Sequence, residues 1–269
     1  MSHWPRWAVM WVLASSIYIG CKWLTWWRTP IRSAPAWKHA GYLLAWPGLD
    51  ASAFLNPTPV PSSSAPGARE WFFAAIKLAL GLSIIFGVVR LVPAPHPYLT
   101  GWVGMIGIVL TLHFGLFHLL SCGWRSLGVD ARPLMNRPVA STSVSEFWGR
   151  RWNTAFRDLT HRFLFRPLSA RLGVRSAILA GFIFSGLVHE LVISIPAGGG
   201  YGGPTLFFGV QGSAILAERS SLGHGLDLGT PWKGWLFTTL VIVIPVGFLF
   251  HPPFVERVVV PFLRAIDAL

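Results

Sequence analysis

Apolar residues run through this chain in blocks far longer than the buried face of a surface helix. Runs that reach or approach the roughly 20 residues needed to cross a bilayer occupy 5–24, 71–92, 98–121, 175–196 and 232–250. A shorter run, 205–217, has the length of a tilted or re-entrant segment. The stretch 41–55 is apolar too, but Trp46-Pro47-Gly48 and Asp50 interrupt it, so it reads as broken and interfacial. Pro57, Pro59, Pro61, Ser62, Ser63, Ser64, Pro66 and Gly67 then make a stiff, non-helical linker. The pattern predicts an all-α fold, a polytopic transmembrane helical bundle of about six spans with interfacial helices. No internal repeat is visible, and residues 1–269 read as a single membrane-embedded domain.

Between the third and fourth long runs the period changes. Ser143 and Glu146 have the spacing of a capping box, so a helix is expected to start there. Trp148, Trp152, Ala155, Phe156, Leu159 and Phe163 then recur at helical spacing, while Arg150, Arg157 and Arg162 fall off that stripe. An aromatic face with a basic flank suits a helix lying in the headgroup plane, with Asn153 at its edge.

Composition agrees with a membrane protein. The chain is 53% hydrophobic and only 12% charged, whereas soluble domains carry about 25% charged residues. The net charge of +12 does not point to nucleic acid, because the basic residues lie between the apolar runs, as the positive-inside rule requires. Segment 122–175 holds Arg125, Arg132, Arg137, Arg150, Arg151, Arg157 and further arginines, and 22–70 holds Lys22, Arg28, Arg32, Lys38 and Arg69. Segments 93–97 and 197–204 hold neither Lys nor Arg. The first pair is therefore expected on the cytoplasmic side and the second pair opposite, in a multi-pass protein of a cell inner membrane or an endoplasmic-reticulum-type membrane. No small-x-small cleavage site precedes Cys21, so the first run is expected to remain as a span.

Metal and nucleotide sites are not expected. Cys21 and Cys122 have no metal-type spacing, and His113 and His118, five residues apart, point about 140° away from each other on a helix. The glycine-rich 198–204 lacks a following Lys-Ser/Thr, so it reads as a turn between spans.

Two polar residues stand out against this background, because polar groups at membrane depth are costly and are functional by default. His189 ends Ser185-Gly186-Leu187-Val188-His189-Glu190, and Gly181 and Ser185 share its helix face, where small residues would admit a neighbouring helix or leave a narrow channel. A neutral imidazole there can accept a proton from a hydroxyl; it can equally be a structural histidine, and the residues alone leave both open. Glu190 is either a partner for an adjacent helix or a solvent contact. Asn153, taken alone, reads as structural. Arg150 and Arg151 fit either lipid phosphates or the phosphates of an anionic ligand.

The heptad Phe147-Trp148-Gly149-Arg150-Arg151-Trp152-Asn153, followed by Ser185-Gly186-Leu187-Val188-His189-Glu190, resembles the wax synthase-like branch of the membrane-bound O-acyltransferase family. Ala45-Trp46-Pro47-Gly48-Leu49-Asp50, Leu112-His113-Phe114-Gly115-Leu116-Phe117, Pro133-Leu134-Met135, Gln211 and Glu218 extend the resemblance over about 40–220. The resemblance implies transfer of an acyl group from a coenzyme A thioester to a hydroxyl inside a helical bundle. The family histidine falls on His189 and the family asparagine on Asn153. Arg150 and Arg151 would then receive coenzyme A phosphates, Trp148 and Trp152 would line the thioester entrance, and Ser185 and Glu190 would border the substrate. Acyl-CoA is implied as co-substrate with no bound cofactor, and a long-chain alcohol or related lipid hydroxyl as acceptor. Other acceptors remain open: diacylglycerol, a sterol-like or natural-product hydroxyl, or a glycan. A proton-coupled transporter would instead need paired repeats and several ionisable residues along one path; only His113, His118, His189 and Glu190 are identified as such.

Overall fold

The computed structural model describes residues 4–31, 33–56 and 65–269, all in helices and connecting turns. Arg32 and the linker residues Pro57, Pro59, Pro61, Ser62, Ser63 and Ser64 lie outside the described residues. Five helical segments are long and apolar enough to cross a membrane: Arg6–Trp27, Ala68–Leu91, Pro97–Ser126, Thr154–Ala197 and Pro231–Leu249. A sixth helix, Gly203–Glu218, has 16 residues, about 24 Å at 1.5 Å per residue, short of the ~30 Å hydrocarbon core. The chain is an integral, multi-pass membrane protein.

The chain divides into two compact units assembled from separated stretches. One unit takes residues 1–15, 136–153 and 160–262, and the other 16–135, 154–159 and 263–269. They are called the first and the second unit below.

The second unit contains most of α1 (Arg6–Trp27), then α2 (Ala36–Ala45), α3 (Ala51–Leu55), α4 (Ala68–Phe86), α5 (Pro97–Val109) and α6 (Phe117–Ser126). The run 41–55 is broken, as expected: α2 stops before Trp46-Pro47-Gly48, and the Asp50 side chain accepts from the Ala53 N–H to start α3. The break leaves the Trp46 and Gly48 carbonyls without helical donors, and Lys22 fills that need. Its Nζ donates to both, 2.7 Å from Trp46 O, and lies 3.6 Å above the Tyr42 ring. Lys22 is 2% exposed, so this member of the basic segment 22–70 is an internal tie. The surrounding core is Tyr42, Trp46, Phe54, Leu55, Val129 and Leu134.

α4 and the π-helical stretch Leu110–Leu116 cross closely because Gly115 lacks a Cβ; one there would sit 2.6 Å from the Leu78 Cα. Close packing brings a charged chain together. Glu70 accepts from Arg125 and, at 2.9 Å, from His118 Nε2, while His118 Nδ1 lies 2.8 Å from Lys77 Nζ. Lysine can only donate, so Nδ1 is the acceptor and Nε2 carries the proton that Glu70 receives. These membrane-segment ionisable groups exceed those identified from the sequence. Ligand-type atoms of Glu70, His118 and Cys122 converge within 4.8 Å of one another. Arg125 bonds Glu70 and lies 3.7 Å from Cys122 Sγ, so a guanidinium supplies the cationic charge of that cluster.

In the first unit α7 is one turn (Val144–Glu146); α8 (Thr154–Thr160) belongs almost wholly to the second unit, and α9 (Arg166–His189) lies in the first. α10 (Ile195–Ala197), α11 (Gly203–Glu218), α12 (Ser221–Gly225), α13 (Pro231–Val243), α14 (Val246–Leu249) and α15 (Pro252–Phe254) follow, and α16 (Val260–Ala265) begins in the first unit and ends in the second. Gly173, at φ 78°, breaks α9, and the apolar part runs on from there to His189. α9 and α11 lie antiparallel in close contact: a Cβ on Gly186 would stand 2.6 Å from the Thr205 Cα, and one on Gly212 3.1 Å from Phe182. The small-residue face that admits the neighbouring helix is thus that of Gly186. Gly181, expected there, would meet nothing nearer than Leu164 at 4.0 Å.

The contacts give this unit two ends. At one, Arg6 and Arg257 donate to the Ala197 carbonyl, and Gly203 lies against Phe248. At the other, Glu218 grips the backbone N–H groups of Val144 and Ser145, and Trp235 Nε1 bonds Val139 O at 2.8 Å. Segments 139–146 and 198–203 therefore sit at opposite ends of α11.

Candidate active site

Both polar residues singled out in the sequence lie in the first unit. The segment that carries Asn153 begins as expected. Ser143 Oγ accepts from the Glu146 N–H at 2.9 Å, and Glu146 Oε2 accepts from the Thr142 N–H at 2.8 Å. The bond from Thr142 N–H, with Arg151 beside it, holds the Glu146 carboxyl below the ordinary carboxylate range.

The continuous amphipathic helix does not form. Phe147–Arg151 is a π-helical turn, and the chain then opens, with Trp152 extended and Asn153 at φ 42°. Asparagine is among the few non-glycine residues that enter the left-handed region readily. The aromatic stripe is split at this point. Trp152 stacks on Phe147 at 5.6 Å, whereas Ala155 and Leu159 join the core of the second unit.

Arg151 closes this turn. Its Nε and a terminal nitrogen reach Glu146 Oε1 at 2.9 and 2.7 Å, and its other terminal nitrogen donates to the Asn136 and Arg137 carbonyls. A guanidinium so engaged has its fork committed to the protein, which differs from the phosphate role expected of it. Arg150, next to it, is exposed. Trp148 points into the unit. Its Nε1 donates to Gln211 Oε1 at 3.2 Å, and Gln211, fully buried, donates on to Val241 O at 2.9 Å. The Trp148 ring meets Phe182 and Phe208, both within 6 Å between centroids.

Phe208 carries the packing to His189, its ring 4.5 Å from the imidazole. His189 is the last residue of α9 and stands just before the π turn Glu190–Ser194. Its Nδ1 lies 2.7 Å from the Ser185 carbonyl oxygen. A carbonyl only accepts, so Nδ1 carries the proton, and the neutral ring presents Nε2 as a bare acceptor. Nε2 has no hydrogen-bond partner among the described residues. Ser185 thus orients the histidine through its backbone, not its hydroxyl.

Glu190 reaches across to the start of α11. Oε1 accepts from the Thr205 N–H at 3.1 Å and from its hydroxyl at 3.0 Å, a carboxylate set on a helix N-terminus. Oε2 is buried without a hydrogen-bond partner among the described residues. Three site neighbours went unnoticed in the sequence: Phe208, Thr205, and His251, whose Nε2 lies 3.2 Å from Ser194 Oγ at the same end of the unit. Burial pushes the His251 pKa below that of ordinary histidine. Phe208 and Thr205 carry no signal of their own in an apolar run; His251, just beyond the last long run, could have been flagged as a polar residue at a span end.

Trp148, Phe208, His189, Ser185 and Glu190 are therefore brought together around α9 and α11. Asn153 lies on the strained loop leading out of the Trp148 turn. The arrangement offers a proton acceptor in an apolar aromatic setting, which suits removing a proton from a hydroxyl.

Residues 131–210 match the family model described as the membrane bound O-acyl transferase family. The chain is 28% identical over 147 residues to the Probable long-chain-alcohol O-fatty-acyltransferase 7 of Arabidopsis thaliana, covering 49% of this chain and 42% of that protein. It is 31% identical over 159 residues to the Probable long-chain-alcohol O-fatty-acyltransferase 2 of the same plant, covering 53% and 46%. To the Long-chain-alcohol O-fatty-acyltransferase of Simmondsia chinensis it is 39% identical over 74 residues, 24% of this chain and 21% of that one. Each match spans less than half of the relative's own length.

Proposed function

Because residues 131–210 carry the sequence of the membrane bound O-acyl transferase family, we propose that this protein transfers a fatty acyl group from acyl-CoA to a long-chain alcohol. The observation that carries the proposal is the state of His189: Nδ1 donates to Ser185 O, leaving Nε2 free to accept. In the reaction, Nε2 takes the alcohol proton as the oxygen attacks the thioester carbonyl. A tetrahedral oxyanion forms, collapses, and expels the coenzyme A sulfur, which receives that proton. One carbon–oxygen bond replaces one carbon–sulfur bond, and no net proton is consumed. Base assistance of this kind contributes roughly 10²–10⁴ in rate.

Asn153 is the amide assigned to position the acyl donor or steady the oxyanion, a role in which losing one donor costs about 10²–10³. Its left-handed backbone fits that role, because strain of this sort is retained where a side chain must be aimed. Trp148 holds the loop on the aromatic wall beside His189. Arg150 is assigned to the anionic end of the donor, and Arg151 to the shape of the loop that presents it.

The test is product identification. Membranes containing the protein are given labelled long-chain acyl-CoA and, separately, a long-chain alcohol, diacylglycerol, a sterol and a glycan acceptor, and the products are read by mass spectrometry. The alcohol ester is expected. Ester on another acceptor alone would replace the substrate assignment, and no acyl transfer at all would overturn the proposal.

A further inference from the structure

A groove of about 530 Å³ opens in the first unit between the start of the apolar part of α9 and the end of α11. Its volume is that of a small-molecule site, ~300–1,000 Å³. Val174, Ile178 and Leu216 form an apolar wall, and Arg175, Arg219 and Ser220 the polar part. Among the described residues the two arginines are the only charged ones lining it. Glu218, which would neutralise them, is turned away: its oxygens are taken by the Val144 and Ser145 N–H groups and the Ser145 hydroxyl. Arg219 is held by a 3.3 Å bond to Ser145 Oγ, and Arg175 is exposed. An open groove with two cations, an apolar wall and no carboxylate among its described lining residues suits a ligand that is anionic at one end and apolar along its length.

We propose that Arg175 and Arg219 receive a phosphate of the acyl-CoA donor, with the rest of the thioester arm lying along α9 toward His189. The assignment rests on the acyl-transfer function proposed above and adds a phosphate subsite distinct from Arg150. Two forked guanidiniums match phosphate oxygens, and such bonds are charge-assisted. The direction follows from the packing. Ile178 belongs to the apolar cluster that includes Trp148 and Phe182, Trp148 meets Phe208, and Phe208 meets His189. Residues 175 and 189 lie on one uninterrupted stretch of helix, about 21 Å apart along its axis, a reach comparable to that of an extended pantetheine arm.

The experiment uses the full-length protein in phosphatidylcholine nanodiscs and measures equilibrium binding of coenzyme A and of pantetheine, which lacks the phosphates. Wild type is expected to bind coenzyme A more tightly than pantetheine. Arg175→Gln with Arg219→Gln should weaken coenzyme A binding at least tenfold and leave pantetheine unchanged. The Arg175→Lys, Arg219→Lys pair should retain most of the affinity, and Ser145→Ala, which removes only the Arg219 tether, should stay within about twofold of wild type. Coenzyme A binding unchanged in the Gln pair overturns the assignment. So does a Gln pair that binds coenzyme A normally but loses binding to vesicles containing phosphatidic acid, because the arginines then serve a lipid phosphate. Ester formation in the same samples separates the two claims. Ester made with unaltered coenzyme A binding in the Gln pair removes the subsite and keeps the enzyme. Coenzyme A binding lost in the Gln pair, with no acyl transfer by wild type, keeps the subsite and removes the proposed function.

Discussion

The two units treat polar groups inside the membrane in opposite ways. In the second unit one cluster is charged and mutually satisfied, Lys77, His118, Glu70 and Arg125 forming one chain and Lys22 being tied to two carbonyls, although the Thr111 hydroxyl in the same unit is buried without a hydrogen-bond partner among the described residues. In the first unit the central polar groups are His189, Gln211 and Glu190, set among aromatic rings and glycines, and two of them keep an unused atom. His189 Nε2 has no hydrogen-bond partner among the described residues, and Glu190 Oε2 is buried without one. A saturated network holds a fold in shape; an unsaturated acceptor can act on something that arrives. The contrast is the one the proposed role of His189 requires, with the acting group in the first unit and the paired charges of the second holding its fold.

Breaking the saturated network should cost stability rather than chemistry. Arg125→Leu removes the guanidinium from Glu70 and leaves it only the His118 ring. Removing one partner of a buried pair costs 3–5 kcal/mol, and Glu70 keeps 31% of its side chain exposed, so a loss of about 3 kcal/mol is expected. Unfolding in mixed detergent micelles measures it, with turnover per folded molecule within about twofold of wild type. Turnover lost in parallel with intact folding would move the chemistry toward the second unit.

The close crossing in the first unit is the next lever. Gly186→Ala puts a methyl 2.6 Å from the Thr205 Cα, where overpacking costs about 2 kcal/mol. Because Glu190 and Phe208 both depend on the start of α11, turnover should fall about tenfold, while the analogous Gly181→Ala, with open space around it, should be silent in both assays.

Gln211→Leu comes next. It leaves Trp148 Nε1 and the Val241 carbonyl unpaired, a loss of about 1–2 kcal/mol. The effect should reach the aromatic wall beside His189, so acyl-chain preference in competition assays should shift. An unchanged preference with reduced stability would confine Gln211 to structure.

How much of this was legible before the structure depends on the range of the interaction. Span positions follow from run length alone, and the apolar runs located them. His189 and Asn153 were visible because a polar residue in such surroundings is conspicuous and the motif around them is specific. The role of Lys22 was not legible, because the sequence shows it only as one of the basic residues that follow an apolar run. Its partners, the Trp46 and Gly48 carbonyls, become available only through the break at Pro47. The stripe from Trp148 to Phe163 kept helical spacing across Asn153, and spacing does not register a left-handed residue. Arg151 looked like a phosphate contact because Glu146, five residues back, becomes its partner only when the π turn forms. The Ile178–Trp148–Phe208–His189 wall was invisible for a simpler reason: every aromatic in an apolar run looks alike until helices pair.

The smallest effect concerns the Asn153 loop. The Glu146 carboxyl is held below its ordinary value by the Thr142 N–H and Arg151. A depressed carboxyl contributes stability above its unfolded pKa, ~4.3, and that contribution disappears as pH falls through the lower folded value. Hydrogen exchange over 136–153 should be steady from pH 7 to 5 and quicken below it, after correction for intrinsic rates. Glu146→Gln should abolish the pH-dependent part; a dependence that survives the substitution would remove Glu146 as its source.

The central claim is that His189 is the base, and His189→Ala tests it most directly. The substitution removes Nε2 but leaves the Gly186–Thr205 contact and the Glu190 clamp intact, so the protein should insert and bind coenzyme A as wild type does. Ester formation from long-chain acyl-CoA and alcohol, in membranes with matched protein levels, should fall at least about 10²-fold, the lower end for loss of a general base. Ester made by His189→Ala at the wild-type rate would make His189 a structural histidine and contradict the mechanism.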